Sequence, residues 1–156
     1  MEFAFDTVSF VEQILVMEIN SVTDHPLIIK KNPFISRGNF HGEYPAKAAD
    51  YLAIGVAEIG NMSEQRIDCL LNPNSHKNND LPEYLTSASL GLNSGLMIAQ
   101  YTAASLASEN KVHVHPASSD TIPTSNGWED HVSMGGWLCC LKVSKSCQKR
   151  GENCCH

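Results

Sequence analysis

The stretch Glu43–Leu71, EYPAKAADYLAIGVAEIGNMSEQRIDCLL, decides the fold class. Pro45 falls in the first turn of a helix, where its missing N–H leaves no bond unmade. Leu52, Val56, Ile59 and Met62, continued by Ile67, Leu70 and Leu71, lie along one apolar stripe at helical spacing. Asn72-Pro73-Asn74 then closes the helix, because a residue before proline avoids the α region. Gly55 and Gly60 each weaken a helix by about 1 kcal/mol relative to Ala. Their presence points to close packing against a neighbour.

Working outward, Asp6–Ile19 places Val8, Val11, Leu15 and Ile19 at helical spacing, and Asn20 through Pro26 ends that segment with turn chemistry. Leu27-Ile28-Ile29 is too short to assign by period, and Lys30–Asn39 reads as a loop punctuated by Pro33 and Gly38. Downstream, Leu92–Lys111 is a second long helix with Leu92, Leu96, Ala99, Ala103, Leu106 and Ala107 on one side. Its many small residues allow close approach of neighbours, so it is expected at the centre of a bundle. A last helix should open at Asn126, with Glu129 completing a capping box. The fold class is mainly α, a bundle of long helices. Such helices need several partners to bury their stripes. This chain holds too few, so it fits a larger assembly.

The chain has 156 residues, the size of one domain, and 42% hydrophobic residues, enough to build a core. The net charge of −6 argues against nucleic acid or an anionic membrane surface as partner. No apolar run reaches the ~18 residues that span a bilayer. The N-terminus lacks a basic segment followed by an apolar one, so the expected compartment is the cytoplasm. Both charge and cysteine content break near residue 137. Residues 1–137 carry −9 and one cysteine, Cys69; residues 138–156 carry +3 and five, Cys139, Cys140, Cys147, Cys154 and Cys155. The expected organisation is an incomplete domain over 1–137 and an unrelated, disordered tail over 138–156.

Four polar clusters sit at turns or helix ends, where functional residues concentrate: Glu18–Asp24, Gly38–Glu43, Gly91–Gly95 and Thr124–Met134. Each also has a purely structural reading. Asn20, Ser21 and Asp24 can satisfy helix-end groups, and Asn93 and Ser94 can cap a helix. Phe40 could stack on a planar substrate or fill a core. His41 beside Glu43 forms one candidate acid–base pair. Glu129, Asp130 and His131 offer tunable groups at a helix N-terminus, or Glu129 serves only as a cap. Metal readings are weaker. His113 and His115 lack an evident third ligand, and Cys140, Cys147, Cys154 and His156 are spaced unlike the close cysteine pairs of zinc modules. No metal site is expected.

Taken together, Glu18–Leu27 (EINSVTDHPL), Gly38–Gly60 (GNFHGEYPAKAADYLAIGVAEIG), Leu90–Pro116 (LGLNSGLMIAQYTAASLASENKVHVHP) and Glu129–Trp137 (EDHVSMGGW) resemble the aromatic amino acid lyase family, in its order and spacing. Gly-Asn-Phe-His-Gly-Glu is similar to the histidine branch; the phenylalanine branch tends to carry Gln where His41 and Glu129 stand. The resemblance implies an all-α homotetramer that removes ammonia from L-histidine to give urocanate. It also implies an electrophile, methylidene-imidazolone, cyclised from an internal Ala-Ser-Gly. By the same resemblance Phe40 matches an active-site aromatic, His41 adjoins it in binding substrate, and Glu129 handles the imidazole or a proton.

The chain departs from that pattern. It contains no Ala-Ser-Gly: Ala88, Ala104, Ala107 and Ala117 are each followed by Ser, then by Leu, Leu, Glu and Ser. The family's catalytic tyrosines and carboxylate-binding arginine belong upstream of Met1. The expectation is therefore an internal piece of the catalytic core, inactive alone and without cofactor. Two other readings follow: a truncated isoform that joins full-length lyase subunits, or a tyrosine or phenylalanine lyase or aminomutase.

Overall fold

A computed structural model describes residues 2–24, 26–30, 32–35, 41–72, 74, 81–87, 91–119 and 126. Among them the elements are α1 (Glu2–Ile19), β1 (Leu27–Ile29), β2 (Asn32–Ile35), α2 (Glu43–Leu71) and α3 (Met97–His113), with a short 3-10 turn at Glu83–Leu85. The mainly helical expectation is met. Two compact units divide the chain, residues 1–56 with 114–156 and residues 57–113.

In the first unit, α1 is apolar nearly all round, so periodicity alone misjudges which face turns inward. The buried stripe runs through Thr7 and Val11, with Ala4, Ile14 and Glu18 half-buried. Of the expected stripe Val11 is buried, whereas Val8 and Leu15 are exposed and Ile19 is 80% exposed. The cause is the partner. Thr7 is 1% exposed because it lies against Gly55, where an added Cβ would sit 2.8 Å from its Cγ2. The hydroxyl of Thr7 donates back to the Phe3 carbonyl at 2.9 Å, which leaves no buried polar group there unmade. Tyr51 closes the seam, with edge-on contacts to Phe3 at 6.5 Å and Phe10 at 5.5 Å between ring centroids.

Helix α2 begins and ends where the sequence places it. Asn72 shuts it: its N–H donates to the Asp68 carbonyl, and its side-chain oxygen accepts from Asn74 N–H at 3.0 Å. The expected stripe is met in part: Leu71 is buried and Leu52, Val56 and Ile67 are half-buried, while Ile59, Met62 and Leu70 remain exposed. The first half of the helix is instead buried on two sides, by Ala46, Asp50 and Ala53 on one and by Ala48 and Gly55 on the other. Small residues let the backbones approach there. Ala46 packs on Ala117 beyond α3, with Ala49 beside them.

The segment read as a loop, Lys30–Asn39, contributes a strand. β1 and β2 pair antiparallel, Leu27 opposite Ile35 and Ile29 opposite Asn32, with an irregularity between the two pairs. Pro33 is tolerated because a two-stranded ribbon has only edge strands.

In the second unit, Asp68 of α2 accepts a hydrogen bond from the Gln100 side chain of α3 at 2.6 Å. Helix α3 starts five residues later than expected and turns Met97, Gln100, Ala103, Leu106, Ala107, Asn110 and His113 inward. Leu92 and Leu96, assigned to the inner face, are exposed. The late start has a local cause. Gly91 and Gly95 adopt positive φ (+104° and +53°), and the Asn93 side chain accepts from Gly95 N–H at 3.0 Å. That turn holds Leu92–Leu96 out of the helix. At Gly95 any Cβ would strike the Tyr84 carbonyl, which instead accepts the Leu96 N–H at 3.0 Å. The central placement expected for α3 is not met by the chain's own contacts, since Ile98, Tyr101 and Val112 stay exposed.

Candidate active site

Of the three residues singled out as a site, His41 falls within the described residues, and Phe40 and Glu129 lie outside them. His41 sits half-buried in the turn that leads into α2. Gly42 follows at φ +70°, and its carbonyl accepts the Ala46 N–H at 3.1 Å, so the helix starts directly after the turn. Glu43 in the first turn complements the positive end of the helix dipole. It also pairs with Lys47 one turn on. Lys47 is 63% exposed, so this pair contributes little stability. His41 and Glu43 thus stand together at the head of the longest described helix.

The other clusters resolve differently. Asn20 Nδ2 donates to the Val16 carbonyl at 2.7 Å, and the Ser21 hydroxyl to the Glu18 carbonyl at 2.8 Å. The same two carbonyls also accept the backbone N–H groups of Asn20 and Ser21, so these side chains reinforce the end of α1. Asn93 holds the Gly95 turn. Beside it, Tyr84, Gly91, Leu92, Asn93, Ser94 and Met97 line an open cleft of about 310 Å³. Tyr84 and Leu85 adopt φ +50° and +54°, left-handed conformations that cost a non-glycine residue about 1–3 kcal/mol each. Among the described residues the cleft wall supplies hydroxyl and amide groups.

Asn126 is exposed with φ +59°. This corrects its assignment as an N-cap, which requires extended backbone; asparagine tolerates the left-handed region well. The remainder of the expected last helix and the cysteine-rich tail lie outside the described residues. His113 Nε2 is buried without a hydrogen bond, 3.7 Å from Glu109 Oε1. Among the described residues no three His, Cys, Asp or Glu side chains gather to hold a metal. No described helix is long and apolar enough to cross a membrane.

One polar residue escaped the sequence reading. Asp50 is 5% exposed, and its Oδ2 accepts the Ser118 N–H at 2.8 Å. The available signal was an acidic side chain on the same helical face as Ala46, Ala53 and Ala57.

Comparison with known proteins adds the family. The profile of aromatic amino acid lyases matches residues 2–149, twelve residues beyond the composition break. A histidine ammonia-lyase of Bos taurus is 56% identical over 133 residues, which cover 85% of this chain and 20% of that protein. The crystal structure of histidine ammonia-lyase from Trypanosoma cruzi matches with a TM-score of 0.76 and 51% identity, over 93% of this chain and 28% of that one. Pantoea agglomerans phenylalanine aminomutase matches with a TM-score of 0.80 and 31% identity, over 93% and 28%. The chain spans about a fifth of the curated relative's length and little more than a quarter of each solved structure. The matched segment is most of these 156 residues, and the chain belongs to the aromatic amino acid lyase family.

Proposed function

We propose that the chain is part of a histidine ammonia-lyase, an enzyme converting L-histidine to urocanate and ammonia, and that it supplies Phe40, His41 and Glu129 to a site completed by other lyase sequence. The observation that carries the substrate class is the gap in identity. Enzymes named for histidine are 56% and 51% identical, against 31% for the phenylalanine aminomutase. His41, half-buried at the head of α2, is consistent with a group held toward a site rather than solvated. In this reading Phe40 offers a ring face to the imidazole and His41 contacts the substrate. The Glu129 carboxylate accepts from an imidazole N–H or moves a proton. The site works in the cytoplasm within a homo-oligomer.

The family's methylidene-imidazolone supplies the electrophile that activates the amino group for departure. It is cyclised from Ala-Ser-Gly, and no such tripeptide occurs in these 156 residues. The residues present therefore do not fit that group, and the chain alone does not turn over histidine. Incubating the purified chain with L-histidine and following urocanate absorbance should give no product above a protein-free control. Turnover by the chain alone would contradict the proposal.

A second reading is a non-catalytic isoform that associates with full-length lyase, favoured by the many large apolar side chains that α1 and α3 leave exposed. In either reading residues 138–156 count as an appended segment on the shift from −9 to +3 in charge at residue 137, although the family profile runs on to residue 149.

A further inference from the structure

Asp50 lies on one face of α2 with Ala46, Ala53 and Ala57 and is buried like them. An ionised carboxyl group loses several kcal/mol of hydration in such a place unless hydrogen bonds replace it. Its Oδ2 accepts the N–H of Ser118, 68 residues away in sequence, at 2.8 Å. Ser118 and Ala117 are 8% and 7% exposed, and Ala117 packs on Ala46, one turn before Asp50. The hydrogen bond and the alanine contact together pin residues 117 and 118 to the first half of α2. An apolar side chain at position 50 would meet the packing demand without the desolvation cost. What the carboxylate adds is direction.

We propose that Asp50 is a positioning residue. It fixes the backbone at Ser118 against the first half of α2, the helix whose head carries His41.

Residue-resolved amide hydrogen exchange on the whole 156-residue chain reads that placement without turnover. In the unsubstituted chain Ser118 should exchange about tenfold or more slowly than an unstructured amide. Asp50→Ala should abolish that protection while Thr7 and Val11 on α1 keep theirs. Asp50→Asn keeps a side-chain oxygen that accepts the bond, and should restore most of it. A Ser118 amide that exchanges freely in the unsubstituted chain overturns the proposal. So does an Asp50→Asn chain that behaves like Asp50→Ala, since a purely charge-burial role predicts no rescue. If Asp50→Ala unfolds the unit, those two measurements still decide. An unexpected lyase activity in these samples would count against the proposed function and leave the Ser118 contact standing.

Discussion

Purified alone at micromolar concentration, the chain is expected to self-associate, to enhance the fluorescence of a dye such as ANS, and to lack a sharp cooperative melt as a monomer. Among the described residues the buried apolar side chains are Val11, Leu71 and five alanines, Ala46, Ala48, Ala53, Ala57 and Ala117. Fully burying a large aliphatic or aromatic side chain contributes about 1.5–3 kcal/mol, and alanine much less. The large ones are elsewhere: Phe5 is 71% exposed, Met17 64%, Ile98 65% and Val112 70%. Long helices with wide apolar faces keep their hydrogen bonds and hold tertiary contacts where small or polar residues close, as at Thr7–Gly55 and Asp50–Ser118, but lose unique packing elsewhere. They also associate at such concentrations. Sedimentation showing a monomer with a single sharp thermal transition and no dye binding would contradict this expectation.

The second large effect is at Gly55. By helix propensity alone, Gly55→Ala should stabilise α2 by about 1 kcal/mol. The structure reverses the sign. The new methyl would lie 2.8 Å from Thr7 Cγ2, 3.1 Å from its Oγ1 and 3.2 Å from its Cβ. Thr7 has little room to give, being 1% exposed with its hydroxyl bonded to Phe3. Relief requires the two helices to separate, and overpacking of this kind costs about 1–3 kcal/mol. Exchange protection of the Thr7 and Val11 amides should therefore fall by about 5- to 150-fold in Gly55→Ala. Removing Cγ2 and the hydroxyl by adding Thr7→Ala should recover most of that loss. Greater protection in Gly55→Ala than in the parent would mean that propensity dominates and that the close approach is misplaced.

These effects show where the sequence was readable. Helix α2 could be bounded to the residue because Pro45 and Asn72-Pro73-Asn74 act locally, within a turn of the helix ends. Its inner face could not be chosen, because large apolar residues and small ones both recur at helical spacing. Which set packs inward depends on Thr7 on one side and on Ala117 and Ser118 on the other, residues far away in sequence. The face of α1 is hidden for the related reason that apolar residues, Phe3, Val8, Phe10 and Leu15 among them, cover most of its circumference and leave one polar strip at Glu2, Asp6, Ser9 and Gln13. The hairpin strand Asn32–Ile35 was obscured by Pro33, which excludes central strands and not a two-stranded ribbon. The start of α3 was obscured by Leu92 and Leu96, whose spacing matches a helix that the glycine turn forbids. For the candidate site, motif resemblance marked Phe40, His41 and Glu129. Asp50 carries no motif of its own; only the fold brings it to Ser118.

On the reading proposed above, the chain is a portion of a histidine ammonia-lyase and its exposed helix faces belong inside a larger lyase assembly. Co-expression of the affinity-tagged chain with an untagged full-length histidine ammonia-lyase subunit tests it most directly. The lyase subunit should elute with the tagged chain after washing in high salt, because this chain exposes large apolar side chains. A tagged chain that is recovered soluble and folded, with all of the lyase in the flow-through, would contradict it.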